Sequence, residues 1–371
     1  MSKAHSTLNS DPAGTPPGQA SSPLAEVLDR HTVPGTLWER AGERIRCLAC
    51  GHRCLIGPGR RGICKVRFNR DGQLRVPFGY VAGLQCDPVE KKPFYHLYPG
   101  TDALTFGMLG CDFHCSYCQN WVSSQALRDD AAGSNIQAIT PAQIVATAVR
   151  HGAPLVVSSY NEPLITAEWA VAVFREARVA GLDCAFVSNG NLTPEVLDFH
   201  RPWIVAYKID LKSFDDRRYR TLGGTLHNVT EGIRRVSRSG LWLEVVTLLV
   251  PGFNDTEDEL RAMARFLASV SQDIPWHITA FHADYKMPGT PATRLAQLTM
   301  AARIGKEEGL RFVYAGNAPG RVGNLEDTFC PACGHKLVSR RGFEIRSLDL
   351  APGGKCPSCQ TIIPGLWSKA P

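Results

Sequence analysis

The stretch Gly110-Cys111-Asp112-Phe113-His114-Cys115-Ser116-Tyr117-Cys118 sets three cysteines at Cys-x3-Cys-x2-Cys spacing, directly after the apolar run Ala103-Leu104-Thr105-Phe106-Gly107-Met108-Leu109. An iron–sulfur cube normally takes four protein thiolates, one per iron. Three thiolates in one tight loop, with no fourth close by, leave one iron open to a small-molecule ligand. The competing reading is a zinc knuckle, which would be one ligand short unless His114 filled in.

Outward from this loop, short apolar runs alternate with amphipathic stretches from about Leu104 to Gly316. The candidate strands are Ala103–Leu109, Pro154–Ser159, Cys184–Ser188, Ile204–Ile209, Leu241–Val250, Trp276–Phe281 and Arg311–Tyr314. Thr140-Pro141, Thr193-Pro194 and Thr290-Pro291 each place a capping hydroxyl before a proline suited to the first helical turn. Thr140 with Gln143, and Thr256 with Glu259, have capping-box spacing. Gly152, Gly181, Gly240 and Gly309 each stand where a helix must stop before the next strand. Such alternation predicts a parallel sheet. Six or seven units suggest an incomplete (β/α) barrel, with a doubly wound open sheet as the alternative.

In parallel α/β folds the site gathers at the C-terminal ends of the strands. The first strand ends at the cysteine loop, and the next ones at Asn161-Glu162, Ser188-Asn189-Gly190, Asp210-Leu211-Lys212, Asn254-Asp255 and His282. Each end delivers hydrogen-bonding side chains to one rim, as a zwitterionic cofactor requires.

The cysteine loop, with Tyr117 as the aromatic before its last cysteine, resembles that of the radical S-adenosylmethionine (radical SAM) enzymes. The resemblance implies a partial (β/α)6 barrel and a 4Fe–4S cluster on Cys111, Cys115 and Cys118. It implies that the open iron chelates S-adenosyl-L-methionine, whose reductive cleavage yields a 5′-deoxyadenosyl radical. Asn161-Glu162-Pro163 stands where many members carry Gly-Gly-Glu-Pro, so Glu162 is expected to take the SAM ammonium. Ser188 and Asn189 match a Thr-Asn-Gly type of turn, and Asp210 and Lys212 an Asp-Leu-Lys segment shared with glycyl-radical-enzyme activases. These residues, with Asn161 and His282, are the expected cofactor-binding set.

Eleven of the thirteen cysteines fall in three groups, and no export signal is evident, so they read as metal ligands in a reducing compartment. Cys330, Cys333, Cys356 and Cys359 form two Cys-x2-Cys hairpins, the pattern of a zinc ribbon, with a rubredoxin-like iron or an auxiliary cluster as alternatives. Cys47, Cys50, Cys54 and Cys64 can hold either structural zinc or a second iron–sulfur cluster, with His52 as a substitute ligand. Cys86 reads as incidental and Cys184 as core. Asp87–His96 reads as a solvated linker, with Lys91, Lys92 or His96 as candidates to line a substrate pocket.

The 371 residues, 44% hydrophobic and 20% charged, describe an ordinary globular chain, and the net charge of +6 is mild. Basic pairs such as Arg60-Arg61 and Arg340-Arg341 are scattered, which argues against nucleic acid as a partner. No apolar run reaches the length of about 18–20 residues that a membrane helix needs. The expected organisation is a disordered tail at 1–24, a cysteine-rich segment at 25–100, a radical SAM core at 101–320 and a zinc-ribbon-like module at 321–371. The full layout, from Trp38 to Ile363-Pro364-Gly365-Leu366-Trp367, resembles the AmmeMemoRadiSam system radical SAM enzymes, relatives of the pyruvate formate-lyase activating enzymes. What that implies is a cytoplasmic enzyme with an electron donor such as flavodoxin or ferredoxin. Its substrate, a small molecule or a protein, is not legible, and activation of a glycyl radical enzyme is the alternative. A remoter alternative is a zinc-stapled scaffold or nucleic-acid-binding protein.

Overall fold

The computed structural model describes residues 24–133 and 135–368. The expected tail lies, apart from Leu24, outside them. All seven expected strands are present: β2 (Asp102–Gly107), β3 (Leu155–Ser158), β4 (Asp183–Ser188), β5 (Ala206–Asp210), β6 (Trp242–Leu249), β7 (Trp276–Ala280) and β8 (Val313–Gly316). They pair in parallel, each beside its successor in the chain. A doubly wound sheet would reverse direction part-way across, and this one does not. The strands are largely apolar, as strands buried on both faces are, with Lys208, Glu244 and His277 as buried polar exceptions.

An eighth strand, β1 (Gly83–Pro88), lies antiparallel to β2 at the sheet's edge, Gly83 opposite Gly107 and Pro88 opposite Asp102. It was not legible, because Gln85 and Asp87 interrupt the apolar pattern and only the pairing makes it a strand. The segment expected as separate therefore ends inside the central sheet.

The helices between strands are α1 (Pro141–Arg150), α2 (Ala167–Val179), α3 (Pro194–His200), α4 (Asp216–Leu222), α5 (Leu226–Ser237), α6 (Glu257–Val270) and α7 (Leu295–Glu307). Thr140 and Gln143 close a complete capping box, and Thr193 caps α3 through the Val196 amide. Each such cap contributes on the order of 1 kcal/mol. Gly152, Gly181, Gly240 and Gly309 all adopt positive φ, as helix stops do. Two expectations are corrected. Thr256 caps α6, but Glu259 turns away to the Ser213 hydroxyl and the Phe214 amide, so the reciprocal half of that box is missing. Thr290-Pro291 starts no helix. The Thr290 amide donates to Met287 O in a turn, and α7 begins only at Leu295.

The sheet buries both faces. On one, Leu104, Phe106, Val156 and Phe186 meet Ile144 of α1 and Trp169 and Phe174 of α2. On the other, Ala103, Leu155, Val157, Ala185 and Ala206 meet Val89, Phe94, Leu97 and Tyr98. Asp87–His96 is thus no solvated linker. Glu244 of β6 anchors it by accepting the amides of Tyr95 (2.9 Å) and His96 (2.9 Å) and bonding the His277 ring at 2.6 Å. His96 is fully buried between Pro364 O (2.7 Å) and the Tyr314 hydroxyl (2.6 Å), a joint to the C-terminal module and not part of a pocket. That module is a three-stranded antiparallel sheet, β9 (Thr328–Phe329), β10 (Lys336–Arg341) and β11 (Glu344–Leu348). The N-terminal segment carries two small antiparallel sheets, one of which joins Trp38–Ala41, Arg44–Cys47 and Leu55–Ile56. No helix among the described residues is long and apolar enough to cross a membrane.

Candidate cluster and cofactor site

The cysteine loop leaves β2 at the end of the sheet where β3, β4 and β5 also finish. None of its three thiols is in a disulfide. Burial pushes all three up from the usual thiol range, Cys115 to about 12, so the pocket by itself would keep them neutral. A metal centre is what would turn such thiols into thiolates. The donors for sulfur are in place: the Phe113 amide reaches Cys111 Sγ at 3.3 Å, and the Ser124 hydroxyl lies 3.2 Å from Cys118 Sγ. Tyr117 is buried with its ring edge-on to Phe253.

Glu162 follows β3, and its carboxylate accepts the Ser188 hydroxyl (2.7 Å), the Asn189 amide (2.7 Å) and the Leu164 amide (3.2 Å). Ser188 and Asn189 come from the end of β4, next to β3, so parallel pairing delivers the three residues to one point. The Asn189 side chain continues to Asp112 Oδ1 at 2.7 Å, and Asn191 donates to Asp112 Oδ2 at 2.8 Å. Asp112 and Glu162 are both buried, and among the described residues neither forms an ion pair. Burial, and then the charge of Asp112, push the Glu162 acid up to about 8. A pocket with two such carboxylates favours a cationic ligand.

On the other side of the loop, Asp210 at the end of β5 takes the Lys212 ammonium at 2.9 Å and also pairs with Lys208. Against the cost of burial, the two lysines hold Asp210 well below the usual carboxylate range. The Lys212 charge lowers the Cys115 thiol, against the larger effect of its burial. Asn161 receives the Met108 amide at 2.9 Å and ties the end of β3 to the residues leading into the loop. His282 stands apart. It is exposed, and its ring reaches no more than Ala283 O at 3.5 Å. Lys92 is buried, lies 3.3 Å from Asp87 and 3.2 Å from the Tyr160 hydroxyl, and burial pulls it down to about 8. Asp112 and Asn191 were not singled out from the sequence. Their signal was only position, one inside the cysteine motif and the other just beyond Asn189-Gly190.

At the C-terminal site, the sulfurs of Cys330, Cys333, Cys356 and Cys359 all lie within 4.8 Å of one another, with Cys330 and Cys359 3.5 Å apart and Cys333 and Cys356 3.7 Å apart. Four thiolates about 2.3 Å from one tetrahedral ion stand about 3.8 Å from each other, so the group fits a single metal ion.

Residues 106–267, the cysteine loop through α6, match the radical SAM superfamily. The chain belongs to the radical SAM superfamily. An uncharacterized protein of Methanocaldococcus jannaschii is 36% identical over 309 residues, which is 83% of this radical SAM chain and 91% of that protein. The isethionate sulfite-lyase activating enzyme of Oleidesulfovibrio alaskensis is 32% identical over 130 residues, 32% of this chain and 40% of its own. Among solved structures, a radical SAM methyltransferase from Sphaerobacter thermophilus aligns over 82% of this chain and 81% of its own, at 16% identity and a TM-score of 0.46. Superfamily membership makes the chain an enzyme with a 4Fe–4S cluster and S-adenosylmethionine.

Proposed function

We propose that Cys111, Cys115 and Cys118 hold the cluster and that Asp112, Glu162, Ser188 and Asn189 form the adjoining SAM pocket. The observation that carries this is the pair of buried carboxylates without a cationic side chain, joined in one hydrogen-bonded network at the edge of the cysteine loop. Bound there, the cluster would supply the electron for reductive cleavage of SAM, the chemistry that starts hydrogen abstraction from a substrate. The chain's own part is placement. Glu162 receives the ammonium, the Asn189 and Asn191 amides keep Asp112 oriented, and the Asp210–Lys212 pair stands on the far side of the loop. The sequentially ordered sheet supports a partial barrel around this site. His282 is the weakest member of the expected set, since nothing beyond its own loop holds it.

The finer assignment is the AmmeMemoRadiSam system group, supported by the layout of its cysteines, with a cytoplasmic location and a flavodoxin- or ferredoxin-type donor. A structural zinc on the C-terminal four cysteines agrees with their close spacing. A second reading, activation of a glycyl radical enzyme, is favoured by the Asp210-Leu211-Lys212 segment and by the activating enzymes among the relatives.

The test is anaerobic reconstitution, reduction and addition of SAM, with 5′-deoxyadenosine as the readout. Wild-type protein should form it and Cys115→Ala should not. A wild type that forms none overturns the reading.

A further inference from the structure

The N-terminal cysteines form a second built site against the back of the cluster loop. The Cys47 amide donates to Cys54 O at 2.9 Å, which brings the two ends of that knuckle together. The Ile63 amide donates to Cys54 Sγ at 3.4 Å, as amides do around metal-bound thiolates. Cys47, Cys50 and Cys64 are each 5% exposed, and the charges of Asp112 and of the other three cysteines add to burial in pushing the Cys50 thiol up. Two structural links tie this group to the cluster loop. Arg128 donates to both Ile63 O (2.5 Å) and Phe113 O (2.9 Å). The Gly51 amide binds Asn191 O at 2.7 Å, and Asn191 holds Asp112.

The spacing distinguishes this group from the C-terminal four. Among the described residues, the C-terminal four are the group whose ligand atoms crowd within 4.8 Å. Neither the N-terminal four nor Cys111, Cys115 and Cys118 meet that spacing. One tetrahedral ion draws thiolates close. A cube spreads them, because each binds a different iron.

Charge supplies an independent observation. From Trp38 to Arg75 the chain carries ten arginines and lysines against Glu39, Glu43 and Asp71, of which Arg46, Arg53, Arg61, Arg67 and Arg70 are taken up in ion pairs with Glu39, Glu195, Asp29 and Glu168. Arg40, Arg44, Arg60 and Lys65 are exposed. Such a face attracts an acidic protein and steers it to the surface it will use.

We propose that Cys47, Cys50, Cys54 and Cys64 hold an iron–sulfur cluster, and that the basic face around them docks an acidic one-electron carrier protein. One electron leaves the carrier, which is oxidised, and passes through this site to the cluster on Cys111, Cys115 and Cys118, which is reduced. No atom is transferred. The role in electron delivery rests on the radical SAM reading; the metal content of the N-terminal site does not.

Iron, labile sulfide and zinc are counted in the reconstituted wild type and in Cys50→Ser/Cys64→Ser. The expected wild type carries about eight irons in two clusters and one zinc, and the variant loses about four irons. The second experiment compares 5′-deoxyadenosine formation driven by reduced flavodoxin, an acidic carrier, with that driven by dithionite. In Arg44→Glu/Arg60→Glu the flavodoxin-to-dithionite ratio should fall at least tenfold, with a higher KM for flavodoxin and a weaker salt dependence. About four irons and two zincs in the wild type overturns the proposal without any variant. So does iron that stays near eight in the cysteine variant, or an unchanged ratio in the charge-reversed one. A wild type with eight irons that makes no deoxyadenosine with dithionite would instead sink the radical SAM reading and leave the metal site standing.

Discussion

Arg67 and Glu168, 101 residues apart, form a doubly bonded ion pair in the interior, with nitrogen–oxygen distances of 2.7 and 2.9 Å and side chains 1% and 7% exposed. Glu168 also accepts the Thr36 amide (3.2 Å), and Arg67 donates to Ile165 O (3.2 Å). The pair locks the N-terminal segment onto α2, beside the helix that follows Glu162. Removing one partner strands a buried charge, so Glu168→Ala should cost about 3–5 kcal/mol. Replacing both by apolar residues, Arg67→Met with Glu168→Leu, should cost less. Urea unfolding of the three variants against wild type checks this, and equal losses in the single and double variants would contradict it.

The same pair sets an acid limit. Against the cost of burial, Arg67 holds the Glu168 carboxyl below its ordinary value of 4.5. A carboxylate lowered on folding contributes stability that is full above its unfolded value and is lost as pH falls through its folded one. Wild type should therefore lose stability faster than Glu168→Gln between about pH 5 and pH 3. Parallel unfolding slopes in that window would show that the pair does not titrate as argued.

Glu162→Gln keeps the shape of the pocket and removes its charge. Hydrogen bonds to charged groups contribute about 1.5–3 kcal/mol. SAM affinity of the iron-loaded protein should accordingly fall about tenfold to a hundredfold, with the iron count unchanged. Equilibrium binding of SAM measures it, and wild-type affinity in the variant would remove Glu162 from the ammonium site.

Cys333→Ser should release one zinc per chain, leave the iron count unchanged and expose the module of Lys336–Arg341 and Glu344–Leu348 to protease, because so small a unit depends on its metal. Metal analysis with limited proteolysis reads both effects. Iron lost in place of zinc would change the identity of that site.

Gly107 ends β2 where a Cβ would meet the Ser159 carbonyl oxygen at 2.5 Å, a backbone atom that cannot swing away. Gly107→Ala should cost about 1–3 kcal/mol through overpacking and should weaken SAM binding, because the end of β3 carries Glu162. Gly133→Ala, with nothing within 4 Å, is the neutral control. Thermal unfolding of the two variants should separate them, and equal midpoints would refute the crowding argument.

Seven strands and their order were legible because each is a local run of apolar residues, and Thr140 and Thr193 announced their helices within four residues of sequence. The cysteine groups were legible as groups for the same reason, since Cys-x2-Cys and Cys-x3-Cys spacings are local. β1 was not legible, because a polar edge strand is defined by its partner. Glu259 was misread because Ser213 and Phe214, more than forty residues away, competed successfully for its carboxylate. His96 looked like a pocket residue until Pro364 and Tyr314 closed around it.

By itself the sequence determined which cysteines group together, where seven of the eight central strands run and which superfamily the loop from Cys111 to Cys118 points to. Only the tertiary structure decided that Glu162 meets Ser188 and Asn189, that Asp112 joins them, and that the Cys47–Cys64 group sits behind the cluster loop. The reason is physical. Periodicity and ligand spacing act over a few residues, whereas partners from separate strands are chosen by register, and register is settled only when the whole sheet is paired and buried.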